Sequence, residues 1–369
     1  MTVLPTMLQP SIVQDRIKTL IVHNTTLQNH FGMQLGGGLR RQHPARSAVL
    51  DVFDETRQLP TATTPGTHSV TRARFPVARI PYVIPRSAEN LPLPLEEINQ
   101  NREIGGPVSE IDQLGARYIM DQETNVRQTY VNLCEFQVSA MLRGAYSYTQ
   151  IGDGFWHGYT GGNFTVDFQV PAGNKSQLDM LGTGNIIGVS WDNAAAPIIR
   201  DLLAINAALI QLTGMGLKDV FVTSQVWGNV ITNTEVQNLA GSSNNPVQSF
   251  TKDAASETAV ATLSGCPWVT WHINDHGLSV GAPGSETFTK LIGDSAAVFL
   301  PGFSIQLAEF RECPEPVLDP VSQQITNQFG EYYYHKFTDD PVCYEFHSRF
   351  NGMPLLKIRN SVVYGTVVF

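Results

Sequence analysis

Four short runs carry residue types whose spacing could do chemistry. Gly277–Gly281 reads GLSVG, the G-x-S-x-G pattern that presents a serine nucleophile at a tight strand-to-helix turn. That geometry needs a helix directly after Ser279, but the next residues are APGSETF, with Pro283 and Gly284 breaking it. His276 stands only three residues before Ser279, whereas that arrangement takes its histidine from far downstream. Gly182, Gly184 and Gly188 spell G-x-G-x-x-x-G, one residue off the dinucleotide fingerprint. The preceding KSQLDML is no buried strand, and Asp201 falls in a helical pattern rather than at the end of a second strand, so the run reads as a loop. His272, Asp275 and His276 form one trio of possible metal ligands; His335, Cys343 and His347 form another. Neither has three or four ligands at standard spacing, and both read as ordinary polar surface. The paired acids Glu96-Glu97 and Asp339-Asp340 lie beside prolines in turn-like contexts, where carboxylates are solvated. The expectation is a chain without catalytic residues, cofactor or metal.

The elements that would have to position such groups are more informative. From Ser109 to Gly144 the sequence predicts one long amphipathic helix, with Val126, Tyr130, Leu133, Cys134, Val138, Met141 and Leu142 on an apolar stripe. Ser109 is the expected N-cap with Asp112 three residues on, Gly115 a point of bending, Arg143 a favourable last-turn cation and Gly144 the stop. Such a helix reaches about 50 Å, longer than a compact domain needs, and suggests a flattened subunit. A second helix is expected over Asp192–Thr213, opened by an aspartate cap, with Ile198, Leu202, Ile205, Leu209 and Leu212 as its face. Residues 217–231 read as a strand followed by a short helix, 241–258 as a polar loop, and NFTVDFQV, PWVTWHI and SAAVFLPGFSIQLAEF as strands. Residues 1–46 carry a short amphipathic segment, Ile12–Leu27, then a Gly36–Gly38 run and basic Arg40, Arg41 and Arg46, and read as an arm. In 47–106 the proline spacing forbids a helix; VLDVFDETRQLP and FPVARIPYVIP fit an extended arm or hairpin that needs a neighbour to lie on.

Composition narrows the classes. A chain of 369 residues holds two or three lobes. Charged residues make up 15%, low against the usual quarter or so, and 31 glycines with 22 prolines suit β-rich loops and surfaces covered by neighbours. The net charge of −9, with no basic run longer than Arg40-Arg41, argues against a primary nucleic-acid binder. Cys134, Cys266, Cys313 and Cys343 show no CxxC spacing and read as free thiols of a reducing compartment. No signal peptide and no apolar run near 18 residues are present, so synthesis in a cytoplasm without membrane insertion is expected.

The DVFDETR hairpin, the Arg- and Pro-punctuated strand to IPR, the long helix closing in CEFQVSAMLRG and the final GMPLLKIRNSVVYGTVVF together resemble the lambda-type major capsid protein (capsid protein E) family of tailed bacteriophages. The resemblance implies an α+β, HK97-type capsid fold: an N-terminal arm at 1–46, an extended E-loop at 47–106, a P-domain with spine helix at 107–190, an A-domain at 191–330, and a return to the P-domain at 331–369. It implies self-assembly through hexamers and pentamers into an icosahedral virion shell that encloses DNA without sequence-specific binding. The E-loop and N-arm would reach over neighbours, and the A-domains would crowd around the ring axes. Scaffold, portal and decoration proteins are the further partners it admits; with Met1 first, a separate scaffold is expected. Arg57, Arg72, Arg74, Arg79 and Arg86 punctuate the loop and Glu96, Glu97 and Glu103 its far end, which makes them candidates for bidentate pairs between subunits, against pairs within the subunit. The presumed loop contains no lysine for a Lys–Asn cross-link. The closing strand, Leu355–Phe369, is expected in the sheet beneath the long helix. The alternatives are a soluble α/β enzyme or binding module with an undisplayed site, and another virion component.

Overall fold

The computed structural model describes residues 8, 10–19, 25–34, 40–45, 47–53, 77–100, 113–147, 165–239, 245–252, 258–280, 286–302, 307–318, 325–339 and 342–369. The chain divides into two compact units: residues 1–48, 83–135 and 310–354 form the first, and 49–82, 136–309 and 355–369 the second.

The first unit is built on a six-stranded sheet. Its strands are β1 (Arg40–Gln42), β4 (Arg86–Pro94), β15 (Ala308–Glu312), β16 (Pro314–Leu318), β17 (Ile325–Asp339) and β18 (Val342–Leu356), in the order β1-β15-β18-β17-β16 with β4 also on β18. β17 and β18 form a long antiparallel ladder from Gly330↔Asn351 to Asp339↔Val342. Tyr333, His335 and Phe346 lie on one side of it and are buried, as β-formers on a half-covered sheet must be. The helices are α1 (Pro10–Thr19), α2 (Thr26–His30), α3 (Leu95–Gln100) and, as far as Glu135, α4 (Gln113–Arg143). At 31 residues α4 is the longest helix among the described residues, about 46 Å. It runs through Gly115 without a break and stops at Gly144, whose φ of 92° lets the chain leave the helix. The expected cap, Ser109 with Asp112, lies outside the described residues. Tyr130 of the predicted stripe packs its ring 5.7 Å from Phe350 and 6.1 Å from Tyr333, and its hydroxyl lies 2.9 Å from Ser348 Oγ. Val126 is also buried, while Leu133 is only half-buried.

Two boundaries need correction here. Residues 86–94 are no part of a loop: β4 is zipped to β18 from Arg86↔Asn351 to Pro94↔Cys343, with Ser87 and Leu93 buried. Its prolines are tolerated because β4 needs donors on one edge only. The described N-terminal residues are not an outstretched arm either. Val13, Ile17, Leu27 and Phe31 are fully buried within the first unit, because α1 packs on β17 and this segment has an apolar face of its own to cover.

The second unit holds a seven-stranded mixed sheet, ordered β7-β19-β14-β8-β11-β10-β9. Its strands are β7 (Lys175–Ser176), β8 (Leu217–Val222), β9 (Val247–Lys252), β10 (Ala259–Leu263), β11 (Cys266–Ile273), β14 (Ala296–Pro301) and β19 (Val363–Thr366). Helices α5 (Ile198–Thr213), α6 (Ser224–Thr232) and α7 (Thr234–Leu239) accompany it. Leu202, Ile205 and Leu209 of α5 join Trp191, Trp227, Trp271, Phe299, Val220 and Val222 in one apolar cluster. α5 begins at Ile198 rather than Asp192, since the ring of Pro197 disfavours helical backbone in the residue before it, and Asn193 instead turns the chain by accepting the N–H of Ala195. The expected polar loop at 241–258 contains β9, an edge strand paired to β10. Three further two-stranded pairs are β2 (Ser47–Phe53) with β3 (Val77–Val83), β5 (Ala145–Ser147) with β6 (Thr165–Asp167), and β12 (Gly277–Val280) with β13 (Thr287–Lys290).

The closing strand departs from expectation. β19 does not enter the six-stranded sheet; it pairs antiparallel with β14 and parallel with β7. Val363 and Val367 join the α5 cluster, so the return at 331–369 splits at Pro354/Leu355. Alternating apolar residues mark a buried strand but do not choose its partner; the gap between β14 and β7, lined by Leu178 and Phe299 against Gly365, does.

Candidate assembly elements and polar anchor points

Among the described residues, the structure gives the groups singled out in the sequence partners of other kinds. Ser279 is exposed within β12, paired to Phe288 on β13, so it stands in an antiparallel hairpin instead of a strand-to-helix turn. Gly182 and Gly184 have φ of 68° and 114° in a turn closed by Asp179, which accepts the Gly184 N–H at 2.9 Å. Asp201 is spent on the indole N–H of Trp191, 3.1 Å away, and burial pushes its carboxyl up to about 6. The members of each trio take different partners. His272 Nε2 sits 3.1 Å from Asp219 Oδ1 with its ring stacked 4.4 Å from Phe221. Asp275 accepts the Ser224 N–H at the start of α6 and the Lys290 ammonium at 2.9 Å. His276 donates its backbone N–H to Asn274. His335 contacts Glu123, His347 contacts Glu345 at 3.0 Å and stacks on Tyr334, and Cys343 is a buried free thiol.

The assembly candidates fall unevenly. Arg57, Arg72, Arg74 and Glu103 lie outside the described residues, and for Arg79 only the backbone, in β3, is described. Arg86 forms an ion pair at 2.8 Å with Glu315 of its own chain. Glu97 accepts the Tyr118 hydroxyl at 2.7 Å, and Glu96 is exposed in the first turn of α3. Both contacts lie within the chain. The pair β2–β3, by contrast, forms a two-stranded sheet of its own.

Sequence reading missed three polar anchor points in the first unit. Glu315 receives Arg86, Arg349 at 3.2 Å and Asn351 at 3.2 Å, three cross-strand donors on one carboxylate. Glu123, fully buried on α4, takes the guanidinium fork of Arg16 from α1 and lies 2.9 Å from His335 Nε2. Glu135, fully buried on α4, accepts the N–H groups of Leu27 at 2.6 Å and Gln28 at 3.0 Å. Burial pushes the Glu135 carboxyl, and likewise that of Glu89 on β4, up to about 7. The signal was present: Glu135 is in step with Val131, Val138 and Leu142, and Glu123 with Ile119, Val126 and Tyr130, at three- and four-residue spacing on buried faces. An acid on an apolar stripe marks a buried anchor.

Known proteins place this architecture. No curated protein sequence matches the chain. Among solved structures, the chain is similar to a candidate capsid protein of a prophage from E. coli CFT073, with TM-score 0.52 and 10% identity over 79% of either chain. It is also similar to a phage-related protein from Bordetella bronchiseptica RB50, with TM-score 0.50 and 11% identity over 97% of this chain and 96% of the other. At such identities the likeness speaks for the fold, which is the HK97-type capsid fold. The phage major capsid protein E model matches residues 12–367, nearly the whole chain, and so this chain belongs to the phage major capsid protein E family and serves as a shell-forming protein of the virion.

Proposed function

We propose that the shell is an icosahedral lattice of hexamers and pentamers of this chain around the phage genome, with the β2–β3 hairpin as the reaching element. The observation that carries this reading is that β2 and β3 pair with each other in a two-stranded sheet that shares no ladder with either larger sheet. A hairpin with no sheet of its own to join gains little stability alone and gains it on a neighbour. In this reading the six-stranded unit is the P-domain and the seven-stranded unit the A-domain. Exposed Phe250 on edge strand β9 and Phe288 on β13 are the apolar points that ring closure would cover. Many weak contacts of this kind sum to a stable lattice.

Deleting Leu59–Phe75 is expected to leave a soluble, folded subunit that forms no stable shells by negative-stain microscopy. Normal shells from that variant would remove the hairpin from the clamp role. The net charge of −9 fits a wall that does not grip packaged DNA. Scaffold, portal and decoration proteins are the further partners of this reading, and host cytoplasm its place of synthesis. No helix is long and apolar enough to cross a membrane among the described residues. The same reading has no catalytic turnover: Ser279→Ala and His272→Ala are expected to alter assembly only as packing changes do, and a metal- or serine-dependent activity lost in either folded variant would overturn it.

A further inference from the structure

We propose that the open edge of β9 is a strand-addition site for a second copy of this chain, whose extended segment continues the seven-stranded sheet across the subunit boundary. The proposal rests on the shell reading above and names how two copies grip each other there. An open sheet edge presents unpaired N–H and C=O groups, and folds blunt such edges with short strands, prolines or charges. Among the described residues the two large sheets end in β1, β4, β16, β7 and β9. All but β9 are blunted. β1 is Arg40, Arg41 and Gln42 alone, and β7 has two residues. β16 carries Pro314 and Pro316, and β4 carries Pro92 and Pro94, which strip donors from an edge.

β9 runs six residues, VQSFTK, without proline or glycine, and its one charge, Lys252, stands at the end. Its register with β10 shifts near Val247, but Ser249–Lys252 lies in unbroken register against Ala259–Thr262. The Ser249 and Thr262 hydroxyls, 2.7 Å apart, tie the two strands together. Gln248 to Lys252 are all exposed, so β9 buries little of its own side chains in the subunit. Phe250 is 61% exposed although it stands opposite Ala261, which is fully buried in the apolar cluster. An extended segment laid along this edge would bond the outward N–H and C=O groups and cover the Phe250 ring. The occupant is a second copy because a shell-forming chain meets copies of itself, and the same edge is offered at each such contact. Main-chain pairing also needs no opposite charge, which suits copies that each carry −9.

Residue-resolved hydrogen–deuterium exchange on the full chain, as unassembled subunits and as assembled shells, tests this. Along an edge strand, alternate N–H groups face away from the sheet. Two alternate amides of Ser249–Lys252 are expected to exchange freely in the subunit and to gain about tenfold or more protection in the shell. The other two, bonded to β10, should be protected in both. Phe250→Pro or Thr251→Pro, at whichever position has the free amide, should leave the subunit folded, as Pro92 leaves β4, and cut shell yield about tenfold or more. No gain in the shell, or an equal gain on all four amides, would overturn the proposal, as would normal shells from the folded proline variant. Should that variant not fold, the alternation in the unaltered chain decides the matter. If the unaltered chain formed only small oligomers, the icosahedral reading would fail, and the same alternation read in those oligomers would decide the strand addition. A chain that stayed monomeric at every concentration would overturn both.

Discussion

In the first unit the long helix meets its sheet through rings and buried carboxylates together. Tyr130 lies against Tyr333 and Phe350, and beside it Glu123 and Glu135 hold α1 and α2 by directional bonds. In the second unit α5 meets its sheet through area. Trp191, Trp227, Trp271 and Phe299 pack ring to ring at 5.6–6.4 Å among the aliphatic residues of α5, with Asp201 under the Trp191 indole and Asn206 accepting the Leu217 N–H of β8 as polar contacts. Apolar burial is non-directional and tolerates small shifts, whereas a buried carboxylate is stable in one arrangement and costly in any other. Both units thus have apolar cores, and the first adds buried carboxylates whose loss should be felt singly.

The largest expected effect breaks the area-held unit. Trp271→Ala removes a fully buried indole that touches both Trp191 and Trp227, and should cost about 3–5 kcal/mol in denaturant unfolding. A loss below about 1 kcal/mol would mean that the second unit does not rest on this cluster. Next, Glu123→Ala leaves the Arg16 guanidinium and His335 without their shared carboxylate and should cost about 3 kcal/mol. The loss should be confined to the first unit; equal loss of exchange protection in β8 would erase the contrast between the units.

A pH scan sharpens the comparison further. Burial raises Glu89 to about 7 and Asp201 to about 6, both above their unfolded values, so each contributes stability that is lost as pH rises through those values. Glu89→Gln should flatten the pH dependence of the first unit between about 4.5 and 7, and Asp201→Asn that of the second between about 4 and 6. Unchanged slopes would show these carboxyls to be solvated. The smallest effect belongs to Arg86→Ala. Its partner Glu315 keeps Arg349 and Asn351, and Arg86 is partly exposed, so subunit stability should fall by at most about 1 kcal/mol. Loss of shells with stability intact would return Arg86 to the role of an intersubunit residue.

Legibility followed the range of the interactions. The stripe on α4, its stop at Gly144, the apolar face of α5 and the strands at 217–222 and 266–273 were readable because each depends on spacing within one element. The start of α5 was misplaced because Asp192 resembles a cap while Pro197 restricts the residue before it. Among the assembly candidates, charge identity was readable but partners were not: Arg86 suited a partner in a neighbour or in its own subunit, and the fold sets Glu315, more than 200 residues away, beside it.

The residues by themselves determined the long helix and the family, since periodicity and short motifs are local properties that survive without coordinates. Only the tertiary structure decided that β4 is zipped into the six-stranded sheet, that α1 and α2 lie on their own helix, and that β19 closes the other sheet. Each of those outcomes is a choice among partners far apart in sequence. Strand alternation and helical stripes state that a face must be covered, and burial and hydrogen-bond satisfaction over the whole fold decide by what.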